Sequence, residues 1–215
     1  MRTLLVGTFG IVLGACSYNA SAPVSPANNV YSNYGEKIPG QYALYVDGEE
    51  FQGEFKVQGF NCSAHTYTQD ARSAFRQSVV LTFGNLVENI ELVERPLSRD
   101  NLKSNGFDGM IRVRAEDMEV EIGVIPGFWT ADMDAEVELT SSLRVDNHEG
   151  RLLGTTVSGD ADSTKGAGTG CDGGSKALSS ATSGAFEDLM QRMGERLSNS
   201  QRIREESMDE AEGSI

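Results

Sequence analysis

Positive charge, histidine, cysteine and tryptophan are all scarce in this 215-residue sequence. It has 18 Lys+Arg against 32 Asp+Glu, a formal net charge of −14, with 2 His, 3 Cys and 1 Trp. Nucleic-acid binding draws most of its affinity from neutralising phosphates with Lys and Arg, so the charge balance excludes it as a function class. Docking on anionic lipid by charge alone is disfavoured for the same reason. The two histidines, His65 and His148, are far apart. Cys62 and His65 form a Cys-x-x-His pair, but no second pair completes a zinc set. There is no Gly-x-Ser-x-Gly elbow. A dispersed Ser-His-Asp set would leave no local mark, and among 32 carboxylates no glycosidase pair stands out. Asp160, Asp162 and Asp172 lack the alternate-position spacing and closing Glu of a calcium loop. The stretch Lys165 to Gly174 is glycine-rich but lacks the Gly-Lys-Ser/Thr that ends a phosphate-binding loop, and reads as a flexible connector. No internal repeat is visible. The expectation is a non-enzymatic protein with no cofactor and no metal.

Long hydrophobic runs are missing too. The longest, Leu4 to Leu13, spans ten residues, whereas a membrane-crossing helix needs roughly 20. Ten suits the apolar region of a signal peptide. Arg2 supplies the positive start, and small residues follow as at a cleavage site. Leu13-Gly14-Ala15-Cys16 resembles the lipobox of bacterial lipoproteins, and that resemblance implies cleavage before Cys16 and acylation of its thiol. Two or three acyl chains, at about 0.8 kcal/mol per buried CH₂, would hold the protein stably on a membrane. Ser17 takes the place where lipoproteins retained in the inner membrane usually carry Asp, so the resemblance points to the periplasmic face of the outer membrane. An ordinary secretory peptide with a chance cysteine is the alternative.

If Cys16 carries lipid, Cys62 and Cys171 remain. In an oxidising compartment two cysteines are expected to form one disulfide, although two free thiols would also fit. Residues 16–40 are rich in Ser, Asn, Ala, Pro and Gly without apolar period, and read as a lipidated N-terminus followed by a flexible tether. The folded domain is expected over 41–204, and an acidic, disordered tail over 205–215.

Within the domain, Tyr42 to Val46 and Phe51 to Cys62 read as strands, with a turn at Asp47-Gly48. Phe75, Val79, Phe83, Leu86 and Ile90 then recur at helical spacing, predicting a helix from Asp70 to Leu92 capped by Thr68 or Asp70. A short helical turn over Ser98 to Ser104 closes at Asn105-Gly106. Ile111, Val113 and Ala115 alternate on odd numbers, but Met118, Val120, Ile122 and Val124 on even ones. The change of parity at Glu116-Asp117 predicts a bulge in one long strand. Met133 to Val145 alternates again, Asn147 to Gly150 is a hairpin turn, and Arg151 to Ser158 is the return strand. A loop over 159–174 leads to a final helix bearing Leu178, Ala181, Ala185, Leu189, Met193 and Leu197 on one face, where Gly184 could kink it. The expected fold is α+β: a two-layer sandwich of antiparallel sheet (β-β-α-β-β-β-α) with two helices on one face.

Gly106 to Val113 after the first helix, Leu143 to Asp146 with Gly150 to Gly154 in the hairpin, and the closing helix together resemble the small α+β domain of several envelope proteins. These are the curli-secretion lipoproteins, the Pel polysaccharide-export lipoproteins and the amino-terminal domain of the Tol-system β-propeller protein. The resemblance implies a scaffold or assembly part at the outer membrane, in secretion or envelope biogenesis, with an envelope protein or further copies of itself as partner. A periplasmic module binding a lipid or glycan between sheet and helices is the alternative. The one chemically distinctive loop is Pro126-Gly127-Phe128-Trp129. Its two rings either form an interface or fold back over the sheet end.

Overall fold

The computed structural model describes residues 18–26, 36–58 and 62–212. The expected signal segment and Cys16 lie outside them. Four of the strands are β1 (Tyr18–Ser21), β2 (Ile38–Asp47), β3 (Gln52–Lys56) and β4 (His65–Asp70). Helix α1 (Arg72–Leu86) is followed by β5 (Val87–Leu92) and the short α2 (Arg99–Ser104). Then come the long strands β6 (Gly109–Pro126), β7 (Ala131–Asn147) and β8 (Arg151–Gly166), and helices α3 (Gly173–Ser198) and α4 (Gln201–Glu212).

The class is α+β. A five-stranded sheet runs in the order β5-β2-β6-β7-β8, and a small sheet in the order β1-β4-β3. The large sheet is mixed, where a wholly antiparallel one was expected. Strand β2 is parallel to both β5 and β6, while β6, β7 and β8 form the expected antiparallel meander. One part of the difference is that β3 joins β4 in the small sheet, so β2 lies beside β6 and not beside β3. The other part arises at Val87–Leu92, expected to be helical. Helix α1 stops at Leu86, and the Val87 N–H bonds back to the Phe83 carbonyl as the chain turns extended. Val87 is buried and its chain partners β2. The four-residue apolar spacing continued through Ile90, but pairing with an open sheet edge satisfies the backbone in the extended form. The two residues expected to cap the helix lie in the small sheet's β4. Thr68 pairs within that strand, whereas Asp70, its last residue, accepts from the Arg72 N–H at 3.2 Å; Ala71, at the cap position itself, makes no side-chain bond.

The bulge occurs where parity changes. Ala115 pairs with Ser141 and Asp117 with Thr140, leaving Glu116 as the extra residue. It keeps Ile111, Val113, Ala115 and Ile122 all on the core face. Against that face lie α1 and α3. Phe51, Phe75 and Phe186 meet at the centre, with ring centroids 4.7 to 6.0 Å apart. Each ring is fully buried, and each such burial contributes about 1.5–3 kcal/mol. Gly184 does not kink α3; it lets the helix lie over Ala161, whose Cβ is 2.8 Å from where a side chain would begin. Gly159 serves the same contact, since a Cβ there would stand 2.3 Å from the Leu189 nitrogen. On the opposite face of the sheet a second, smaller core forms from Ala43, Leu102, Phe107 and Met110. Its helix α2 is capped by Ser98, whose Oγ accepts from the Asn101 N–H at 3.3 Å.

Four boundaries differ from expectation. Part of the supposed tether is structured: β1 pairs in parallel with β4, Ala22 is buried, and the Ala22 N–H donates to the Thr68 carbonyl at 3.1 Å. Strand β2 begins at the fully buried Ile38, three residues before the expected domain start. The supposed disordered tail is helical through Glu212, held by the buried Ile203 and by Asn147 donating to Glu206 at 2.6 Å. Likewise β8 continues to Gly166, through half of the expected loop, because β7 offers it a full-length partner. Among the described residues no helix is long and apolar enough to cross a membrane.

Candidate functional site

Strands β6 and β7 pair over their full length, and their far end carries the Phe128-Trp129 loop. Pro126 pairs with Ala131, and the Gly127 N–H donates to the Thr130 carbonyl at 2.8 Å, closing a tight turn. Gly127 is required there, because a Cβ would come within 2.4 Å of the Thr130 oxygen. The two rings do not fold back over the sheet. Phe128 is 90% exposed and Trp129 89% exposed, and they meet edge to face with centroids 4.9 Å apart. Ile125, just before the turn, is also exposed. Among the described residues few other large apolar side chains are exposed, so this grouping is the natural candidate for an interface.

The same end is braced covalently. Cys62 and Cys171 are joined in a disulfide with Cα atoms 6.0 Å apart. Both take left-handed backbone angles, φ 60° and 57°, a conformation costing L-residues about 1–2 kcal/mol each. A link closing a loop of 109 residues offsets that cost, at up to about 4.7 kcal/mol on the chain-entropy count. Tyr67, unremarked in the sequence, is the hub around it. Its buried hydroxyl donates to the Cys171 carbonyl at 2.5 Å and lies 3.6 Å from the Met133 sulfur. Burial, with the Asp172 carboxylate second, pushes the phenol pKa up. Asp172 is held below the usual carboxylate range by its hydrogen bond and ion pair with Lys176.

This packing explains the glycine-rich stretch. The Gly174 backbone faces the Tyr67 ring, and a Cβ would fall 2.4 Å from it. At Gly173 a Cβ would fall 2.1 Å from the Gly166 carbonyl. These glycines permit close approach of α3 to the sheet end.

The outer face of the large sheet divides in two. Near the α2 end it carries Arg112, Arg114 and Arg144 around Asp146 and Asp47. Arg144 grips the buried Asp146 with Nε at 2.6 Å and Nη2 at 2.7 Å, and the Asp146 carboxylate raises the Arg144 pKa. Arg112 and Arg114 approach Asp146 and Asp47 at 4.0 and 3.7 Å. Toward the aromatic end the register sets Glu119 beside Glu138 and Asp160, and Glu121 beside Glu136 and Asp162. The remaining histidine, His148, sits in the turn at the opposite end of the hairpin from His65, so the structure does not bring the two together. Among the described residues no three His, Cys, Asp or Glu side chains are grouped to hold a metal ion. The space between sheet and helices, the expected ligand cleft, is filled by side chains such as Phe83, Phe186, Met190 and Met193. A groove of about 730 Å³ lies instead on the surface, between β8 and the end of α3, lined by Thr156, Ser158, Arg192 and Arg196 among others.

No family model matches the sequence, and no match was found among curated proteins. Several solved structures are similar in outline. A putative neuraminyllactose-binding hemagglutinin homolog from Helicobacter pylori has a TM-score of 0.48 at 9% identity, covering 88% of this chain and 100% of its own. A Xanthomonas campestris protein of family model DUF330 gives 0.45 at 12%, covering 89% and 99%. PelC from Paraburkholderia phytofirmans, a dodecamer, gives 0.27 at 11%, covering 75% and 98%. No functional conclusion rests on these likenesses.

Proposed function

We propose that the protein is a lipid-anchored, non-enzymatic component of the cell envelope, a scaffold or assembly factor on the periplasmic face of the outer membrane. The observation that carries this reading is a solidly packed, disulfide-linked domain in which Phe128 and Trp129, the most exposed large apolar side chains among the described residues, are gathered at one tight turn. The space between sheet and helices, where a ligand was the alternative, is closed by packed rings such as Phe51, Phe75 and Phe186. A disulfide of this kind belongs to an oxidising compartment, which agrees with export and with the lipobox-like Leu13-Gly14-Ala15-Cys16. The charged outer face offers the area for contacts with an envelope protein or with further copies of the chain.

Fractionation of cells expressing the wild type and Cys16→Ser tests the anchor: the wild type is expected in outer-membrane fractions and the variant in the soluble periplasm. In-cell crosslinking and capture through the outer face tests the scaffold role. A defined envelope protein, or a ladder of the protein's own multimers, is expected. Recovery of neither, together with turnover of an envelope substrate by the purified protein, would replace the scaffold with an enzyme.

A further inference from the structure

We infer that the end of the domain bearing Phe128 and Trp129 rests on the bilayer that holds the N-terminus, with both rings seated among the lipid headgroups. The inference builds on the lipid-anchor reading of Cys16 and adds to it an orientation and a second point of contact.

Strand pairing gives the orientation. Strand β1 starts at Tyr18, two residues after Cys16, a span of at most about 7 Å. Its pairing with β4 is parallel and places Tyr18 beside His65. The His65 N–H donates to the Cys62 carbonyl at 2.9 Å, and Cys62 is bonded to Cys171. A few residues before Cys171, the Ala167 N–H donates at 2.8 Å to the carbonyl of Ala131, two residues beyond Trp129. The start of β1, the disulfide and the aromatic turn therefore share one end of the domain. A long tether would have left the domain free to turn any side to the membrane. With β1 docked, an acylated Cys16 holds this end against the bilayer, and a partner protein would have to enter the narrow gap between them.

The chemistry of the end suits that position. Phe128 and Trp129 are about nine-tenths exposed, and the nearby Ile125 is half exposed. Tryptophan combines an apolar body with an N–H donor and favours the boundary between hydrocarbon and water. A net charge of −14 gives no attraction to anionic lipid, so the contact depends on apolar insertion and works on zwitterionic headgroups.

Because Trp129 is the only tryptophan, its fluorescence reports on this turn alone. The acylated full chain is placed in phosphatidylethanolamine–phosphatidylcholine vesicles carrying brominated acyl chains. Expected are a blue-shifted emission and quenching strongest for bromines near the headgroup. In the Cys16→Ser chain, adding Phe128→Ala is expected to weaken vesicle binding by about tenfold, the loss for one ring removed from apolar surroundings. If the acylated chain floats with the vesicles while its emission stays water-like and unquenched, the seated turn is overturned and the anchor stands. If Cys16→Ser floats and is quenched as fully as the wild type, the turn's contact stands and the anchor reading fails. If the wild type neither floats nor is quenched, both fail. A blue shift without bromine quenching that grows with protein concentration would assign the turn to a second copy of the chain and overturn the bilayer contact.

Discussion

The two halves of the long β6–β7 hairpin are built on opposite terms. The half before the Glu116 bulge is covered on both faces, by α1 and α3 on one and by α2 with Phe107 on the other, and its outward arginines meet Asp47 and Asp146. The half beyond the bulge is covered on one face only. Met118, Val120 and Val124 are partly buried there, and the outer face sets carboxylate opposite carboxylate. Like charges directly across a strand pair destabilise it. The far half therefore relies on the small sheet, α3 and the disulfide to hold its shape. The near half has the packing of a core, and the far half that of a surface projected outward.

The largest test of this contrast is removal of the brace. Cys62→Ser with Cys171→Ala is expected to lower stability by about 4 kcal/mol in urea denaturation. Amide exchange should rise first around β4 and residues 167–172 and last in β2. Uniform loosening would mean the halves are not distinct. Next come core truncations. Leu143→Ala, fully buried in the near half, is expected to cost about 3 kcal/mol. Val120→Ala, partly buried in the far half, should cost about 1 kcal/mol or less. Equal losses would erase the comparison. Smaller, and opposite in sign, is Glu138→Lys. A cation between Glu119 and Asp160 is expected to raise stability by roughly 0.5 kcal/mol, with the gain shrinking in high salt. The smallest effect belongs to Asp70 at the start of α1. Its hydrogen bonds and ion pair with Arg72 hold its carboxyl below the ordinary 3.8. A depressed folded-state pKa means the contribution is complete above the unfolded value and is lost as pH falls through the depressed one. Asp70→Asn should flatten that acid limb of the thermal-stability profile by lowering its neutral plateau slightly, leaving the acid end little changed.

Much of the near half was readable in advance. The alternation in β7, the parity change at Glu116, the Asn147–Gly150 turn and the apolar face of α3 are local patterns with a fixed period, and each appears where the period puts it. The far half was readable only in its parts. Two cysteines were expected to pair, but nothing in Tyr67 marks it as the residue joining the small sheet to the start of α3. The glycines at 173 and 174 look like a flexible loop until the Tyr67 ring and the Gly166 carbonyl are seen beside them. Phe128 and Trp129 were visible as a pair, while their direction depended on how far the hairpin outran its covering layers.

By itself the sequence determined the α+β class, the meander, the bulge and the absence of a familiar catalytic or metal-binding pattern, because these follow from periodicity and spacing along one segment. Tertiary structure decided the rest. It decided that Val87–Leu92 joins a sheet instead of prolonging a helix, that Tyr18–Ser21 docks instead of trailing, and that the start of β1 shares an end with the aromatic turn. Each of these depends on a partner strand or ring distant in sequence, whose unsatisfied backbone or apolar face outweighs the weak local preference of the segment that meets it.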